Sequence, residues 1–531
     1  QLSLQANGID SKTLHLHLYS ALRLINEGHL ELLKHVQSDP FLGDAIVLST
    51  YPDFDFSLSA AQIERHLGQI YLPTKKALSS AAETYVYTVN MLLEEIEQNN
   101  TELVVFSATH YQLVPSLVMA KRVKEFNQNL KVIIGGYLGC LATAYDLLKH
   151  HKSLDYVCFG EGEISLPKLI KGILAGDINE RKVLEGEPVR TLIGVPNFDK
   201  YLTEIKSQGL ISETIVPYEM SRGCYWDKCK FCNFNASYGR FKQFEVDTVL
   251  NAIRNSREYY GIRKFNLLDT SLPTSFARVL RSYNFDWSDQ DVFVEIMADW
   301  KEDDLMLLRK FGVRRAQVGI ESFSTEHLVN MGKGKSVLDN IRVLRACQSA
   351  EILPVYGIML NMPGDKEDYY SGQIRAIEKI THLTPPKYLS SFELRTASPY
   401  YHQRKSFGIT IEFSSGPFDW VLPSKPESCE LKPCTVSWPG KDKINKSVSV
   451  LIPYLQEWQK FWGKKESHIH TNFLPTEKQM LNVASEIVNV LDLEPVETTK
   501  ALLENGALYK EGQNVVSTVA SNLTSSRIEP S

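Results

Sequence analysis

Cys224, Cys229 and Cys232 fall within nine residues, in the run Ser221-Arg-Gly-Cys-Tyr-Trp-Asp-Lys-Cys-Lys-Phe-Cys-Asn-Phe-Asn235. No other feature of the chain constrains its fold as tightly. Three thiolates can hold three irons of a [4Fe–4S] cluster and leave the fourth iron open to a substrate or cofactor, whereas a four-cysteine cluster mainly moves electrons. A zinc site would need a fourth Cys or a nearby His to close its tetrahedron. No His lies between His151 and His327, and apart from the triad no Cys lies between Cys158 and Cys347. Three clustered cysteines also cannot all pair as disulfides. The open cluster is the favoured reading, with zinc as the alternative.

A chain of 531 residues exceeds one ordinary core and implies two or three domains. Hydrophobic residues at 43% and charged residues at 23% describe a globular protein, and a net charge of −5 gives no general pull toward nucleic acid or an anionic membrane. No apolar run reaches membrane-spanning length, and the first residues lack a basic-then-apolar signal pattern. Eight cysteines in so long a chain do not make a disulfide scaffold. An oxygen-sensitive cluster needs a reducing compartment, so the cytoplasm is the expected location.

Residues 1–205 read as an α/β layer. Leu14–Val36 has helical periodicity, as do 57–70, 77–98, 117–126 and 142–150. Short apolar runs at 45–50, 103–107, 132–134 and 156–159 read as buried parallel strands. Gly-Gly-Tyr-Leu-Gly (135–139) and Gly-Glu-Gly-Glu (160–163) follow two of these strand ends. They are either tight turns of a doubly wound sheet or the rim of a ligand crevice. Residues 206–410 read as strand–helix units of a partial barrel, with strands at 215–220, 264–268, 292–297, 315–320, 355–360 and 389–394. Residues 411–531 form a capping region. Its Pro- and aromatic-rich stretch at 418–440 carries Cys429 and Cys434 and reads as irregular chain over the barrel mouth, and 438–446 reads as solvated surface. Helices are expected at 447–462, 477–491 and 495–504, with a hairpin at 509–516; these could form a small peptide-binding unit, although a plain packing appendage suits the pattern better.

The cysteine loop, Gly319-Ile-Glu-Ser322 and Met331-Gly-Lys-Gly334 resemble segments of the radical S-adenosylmethionine (SAM) superfamily at the same places in the strand order. The usual spacing there is Cys-x3-Cys-x2-Cys, so the four-residue first gap is a departure. The resemblance implies that the open iron binds the amino and carboxylate groups of SAM, and that an electron from the cluster splits SAM into methionine and a 5′-deoxyadenosyl radical. It makes Phe231 a neighbour of the adenine, Glu321 and Ser322 contacts of the SAM amine and ribose, and Asp269 a further support for the amine. Glu295 and Arg395 are strand-end charges that enter the cavity or close it as a salt bridge, Arg395 toward the SAM carboxylate or the substrate.

From Leu103 to Ile173 the first part is similar to the cobalamin-binding-like domain that precedes many radical SAM modules. No second strand appears between Thr50 and Leu103, so this reading leans against bound cobalamin. As a whole the chain looks most like maturases of ribosomally made peptides, in particular proteusin-type peptide epimerases. That likeness implies Cα hydrogen abstraction from a precursor peptide, electrons from a flavodoxin or ferredoxin, and hydrogen return by a protein thiol. Cys434 is the candidate thiol, ahead of Cys429 and Cys347. The alternatives are a cobalamin-dependent C-methyltransferase and a non-catalytic peptide-binding scaffold.

Overall fold

The computed structural model describes residues 2–517 apart from 30–31, 34–35, 37–39, 51–74, 137–140, 191–195, 284–285, 414–433, 467–507 and 512–513. The chain forms two compact units: residues 1–194 with 395–397 and 411–435, and residues 195–394 with 398–410 and 436–531.

In the first unit, β1 (Leu103–Ser107), β2 (Lys131–Gly135), β3 (Tyr156–Phe159) and β4 (Lys182–Glu185) make a parallel sheet in the order of the sequence. β4 has no counterpart among the sequence-based expectations. Helices His110–Phe126 and Leu141–His150 connect successive strands, and Val114, Leu117, Val118, Val132, Ile134, Leu147 and Val157 form one buried core.

The run at 45–50, expected as a strand, lies instead in the helix Pro40–Ser49. Proline at the start of a helix sacrifices no hydrogen bond, and a short apolar run does not by itself distinguish strand from buried helix. Val47 and Leu48 enter the same core as Leu113 and Leu117. The long helix expected at 14–36 is shorter, Leu16–Asn26. Among the described residues the sheet order never reverses, so no topological switch point is present there.

The second unit contains parallel strands in the order β11-β10-β9-β8-β5, with a parallel pair β12-β13 beyond. These are β5 (Ile215–Tyr218), β8 (Lys264–Leu267), β9 (Asp291–Met297), β10 (Val313–Gly319), β11 (Leu353–Val355), β12 (Gly357–Leu360) and β13 (Tyr388–Ser391). A short antiparallel pair, β6 (Ser221–Arg222) with β7 (Lys242–Gln243), borders the cysteine loop. Only Tyr356 separates β11 from β12, and a parallel bridge from Glu321 to Ile358 joins β12 to the end of β10. The result is the expected partial barrel of six strand positions in chain order.

Val292, Val294 and Ile296 of β9 and Ala316 and Val318 of β10 are buried. Their alternating neighbours, among them Glu295 and Gln317, form the more open face. The strand period of two separates the faces.

The end of the chain departs from expectation in two places. Residues 434–437 are a strand, β15 (Cys434–Ser437), paired with β14 (Thr410–Phe413), rather than irregular chain. Trp438 is buried edge-to-face against Phe392 instead of lying on a solvated surface. The helix expected at 447–462 runs over Lys441–Glu466, and Trp458 on it donates from Nε1 to Leu383 O. The hairpin is present as β16 (Leu508–Glu511) and β17 (Asn514–Ser517). The helices expected at 57–70, 477–491 and 495–504, and Cys429, lie outside the described residues. No described helix is long and apolar enough to cross a membrane.

Candidate iron–sulfur and cofactor site

β5 leads through β6 into the cysteine loop. Gly223 adopts φ +81°, where a Cβ would come within 3.1 Å of Asn235 Oδ1. This close approach lets Asn235 bracket the first cysteine: Cys224 N donates to Asn235 Oδ1 at 2.6 Å, and Asn235 Nδ2 donates to Cys224 O at 2.8 Å. The four-residue gap turns through Asp227 at φ +49°, a residue type that tolerates the left-handed region.

Beyond it the loop is fastened to Met331–Gly334. Lys230 N donates to Met331 O at 2.9 Å, and Trp226 Nε1 donates to Gly332 O at 2.8 Å. At Gly334 a Cβ would fall 1.8 Å from the Trp226 ring, so only glycine fits beneath the indole. Tyr400 N donates to Lys230 O at 2.9 Å from the other side.

All three triad thiols are free and half-buried. Burial pushes Cys229 up to about 12, against the pull of Lys333, and raises Cys232 as well. Among the described residues no three His, Cys, Asp or Glu side chains are grouped around a single metal site. Three thiols on one short loop suit a cluster held at three irons with the fourth left open.

Lys333 stands beside the triad, 6% exposed, with Nζ 3.0 Å from Glu321 Oε1. Burial alone would lower its pKa, but the charges of Glu321, Cys229 and Cys224 outweigh that and raise it. A Cβ on Gly319 would lie 2.4 Å from Lys333 Nζ, so glycine at the end of β10 makes room for the ammonium. Glu321 itself sits at φ +60°, a strained position that costs a non-glycine residue about 1–3 kcal/mol. The site thus offers one cation and one carboxylate beside the cysteine triad, complementary to the carboxylate and ammonium of an α-amino acid.

The other candidates divide. Ser322, the neighbour of Glu321, faces the opposite way: it is 0% exposed, with its hydroxyl 3.0 Å from His327 Nδ1 and accepting from Ser324 N. It belongs to the wall rather than the ligand surface, which corrects its expected ribose contact. Asp269 is also buried. It accepts from Ser221 Oγ and Met220 N, joining the end of β8 to the start of the cysteine loop, and burial raises its pKa to about 7. Its role is to hold the loop, not to reach a ligand.

Glu295 lies on the open face of β9, where Gln317 Nε2 donates to it at 3.2 Å. Burial and the nearby Asp269 raise its pKa to about 7. Phe231 is half-buried on the turn between Cys229 and Cys232. Arg395 is exposed and groups with the first unit. Cys434 begins β15, and its side chain lies outside the described residues. Cys347 is 0% exposed, so its thiol, which burial pushes up to about 12, has no surface from which to meet a substrate.

In the first unit the residue after each strand is Ala108, Gly136, Gly160 or Gly186. A Cβ on Gly136 would meet Ala108 O at 2.3 Å, and one on Gly186 would meet Glu161 O at 2.2 Å. The carboxyl rim of this sheet is therefore close-packed bare backbone. Glu161 is buried within it and accepts from Val189 N at 2.6 Å, so Gly-Glu-Gly-Glu works as a turn.

Residues 218–371 match the radical SAM superfamily. These residues are a radical SAM domain. The radical SAM triad, the barrel and the loop anchors all fall within or beside that span. An uncharacterized methyltransferase of Pyrococcus horikoshii is 21% identical over 318 residues, 55% of this chain and 67% of that protein. The anaerobic magnesium-protoporphyrin IX monomethyl ester cyclase of a Synechocystis strain is 20% identical over 293 residues, 51% of this chain and 57% of the cyclase.

Among solved structures, the cobalamin-dependent SAM radical enzyme OxsB, with aqua-cobalamin and SAM bound, aligns at a TM-score of 0.54 and 15% identity over 91% of this chain and 83% of its own. The radical SAM methyltransferase TsrM from Kitasatospora setae aligns at 0.51 and 16% over 78% of this chain and 85% of its own. The chain therefore shares the architecture of cobalamin-dependent radical SAM enzymes, including their α/β region before the barrel. None of these comparisons supports the peptide-epimerase expectation.

Proposed function

We propose that this protein is a radical SAM methyltransferase that uses cobalamin. The observation that carries the radical SAM half is the cysteine triad with the buried Lys333–Glu321 pair beside it. The cluster, when bound, supplies the electron that cleaves SAM. Cys224, Cys229 and Cys232 would hold it, Lys333 would bind the SAM carboxylate, and Glu321 would accept from the amine, each replacing part of the interaction between the two side chains. Phe231 would pack near the adenine. Glu295 and Gln317 would face the substrate from the barrel wall.

Methyl transfer is favoured over epimerisation by the comparisons, in which the relatives and solved structures include methyltransferases and cobalamin-dependent enzymes. The bare-backbone rim of the first sheet suits a flat macrocycle, because no side chain at the positions immediately after its strands is larger than a methyl group. Cobalamin, when bound there, would carry the methyl group. A ribosomally made precursor peptide as substrate and a flavodoxin or ferredoxin as electron donor complete the proposal.

The test is product analysis of anaerobically reconstituted protein supplied with SAM, reductant, cobalamin and a co-expressed candidate precursor. Methyl transfer requires S-adenosylhomocysteine alongside 5′-deoxyadenosine and a peptide heavier by one methylene group. 5′-Deoxyadenosine alone, with solvent deuterium gained in deuterium oxide, would return the enzyme to epimerisation.

A further inference from the structure

The turn after β10 holds Glu321 in the left-handed region, at φ +60°. A residue with a Cβ stays there only where its surroundings fix the flanking peptides. Here they do. Asn340 Nδ2 donates to Ile320 O at 2.9 Å and to Ser322 O at 2.8 Å, so one amide group spans both carbonyls flanking Glu321. Met359 N donates to Glu321 O at 2.9 Å from β12. Because both partners of the Asn340 amide are carbonyl oxygens, only its NH2 group can face them.

Asn340 is 0% exposed on the helix Val337–Ser349, whose N-terminus is fixed by a capping box between Ser336 and Asp339. The side of the turn beyond Glu321 is held separately. Ser322 Oγ lies 3.0 Å from His327 Nδ1, and His327 Nε2 lies 3.0 Å from Asp365 Oδ1. Asn340 is therefore the connection between a rigid helix and the peptide planes that aim Glu321 at Lys333.

Stability alone is a weak reason for an asparagine here. Its Oδ1 is buried without a hydrogen-bond partner among the described residues, and an orphan acceptor offsets part of what the two donated bonds contribute.

We propose that Asn340 is a positioning residue for cofactor binding. By holding the carbonyls of Ile320 and Ser322, the residues on either side of Glu321, it orients that carboxylate toward the SAM amine. The inference rests on the radical SAM reading above and adds a residue that touches neither cofactor nor cluster.

The test is SAM binding measured by anaerobic calorimetry on cluster-reconstituted protein, with iron content and melting temperature recorded for each variant. Asn340→Ala is expected to bind SAM about tenfold more weakly while keeping its iron. Glu321→Gln should also weaken binding, and the double variant should be no weaker than Glu321→Gln alone, because Asn340 acts through Glu321. Asn340→Ser, which retains one donor, should fall between wild type and Asn340→Ala and supplies the comparison if Asn340→Ala does not fold. Wild-type affinity in Asn340→Ala or Asn340→Ser, or additive losses in the double variant, would overturn the proposal. A wild-type protein that holds the cluster but binds no SAM would instead overturn the radical SAM reading, and the inference with it.

Discussion

Lys333 shows how much of the site depends on single charges. Replacing it with Met leaves Glu321 half-buried with no cation, and breaking one side of a buried pair typically costs about 3–5 kcal/mol. We expect Lys333→Met to keep iron but to lose SAM affinity by at least about tenfold, read by calorimetry. Any one of Cys224→Ala, Cys229→Ala or Cys232→Ala should instead lose the cluster absorbance together with SAM cleavage, since two thiolates do not retain the open cluster. Asp269 gives a pH-dependent prediction. Burial raises its carboxyl from 3.8 to about 7, so the folded state binds the proton more tightly than the unfolded chain does. That contribution is complete below about pH 4 and is lost as pH rises through 7, on the order of 4 kcal/mol. Chemical denaturation at several pH values should show stability falling across this window, and Asp269→Asn should flatten the slope. The triad was legible in the sequence because spacing alone defines it. Glu321 and Ser322 could not be told apart, since neighbours at a strand end face opposite ways and only the fold shows which one faces Lys333. Lys333 was hidden between two glycines, where the pattern reads as an exposed turn; its partner Glu321 is distant in sequence.

At the scale of elements, the cysteine loop keeps its shape because another turn supports it. Gly334→Ala would drive a methyl group into the Trp226 ring, and its φ of +66° adds strain. We expect this variant to retain its α/β circular dichroism but to reconstitute less iron, with a stability loss of about 1–3 kcal/mol from overpacking. Wild-type iron content would show that the loop does not depend on that support. The barrel strands were readable because each is an apolar run closed by a polar or glycine-bearing end. The helix Pro40–Ser49 was not, because Ile46, Val47 and Leu48 are consecutive apolar residues that would be buried in a strand as they are in this helix. β15 was missed because it pairs with β14, and nothing in the sequence between them marks that partner.

Across the whole molecule, the proposed function divides between the two units: SAM would meet an open iron in the barrel unit, and cobalamin in the first unit would carry the methyl group. Purification with added hydroxocobalamin should give bound corrinoid in proportion to protein, and its absence would remove the methyl-transfer proposal while leaving the barrel chemistry intact. The order of the first sheet could be anticipated only in part, because the run expected to start it folded as a helix. The barrel could be anticipated strand by strand. The most direct test is electron paramagnetic resonance of the dithionite-reduced, reconstituted protein recorded with and without SAM. Binding of the SAM amino and carboxylate groups to the open iron should change the spectrum of the reduced cluster, and the change should be lost in Lys333→Met. A cluster signal identical in both conditions, or a protein that takes up zinc in place of iron under the same reconstitution, would contradict it.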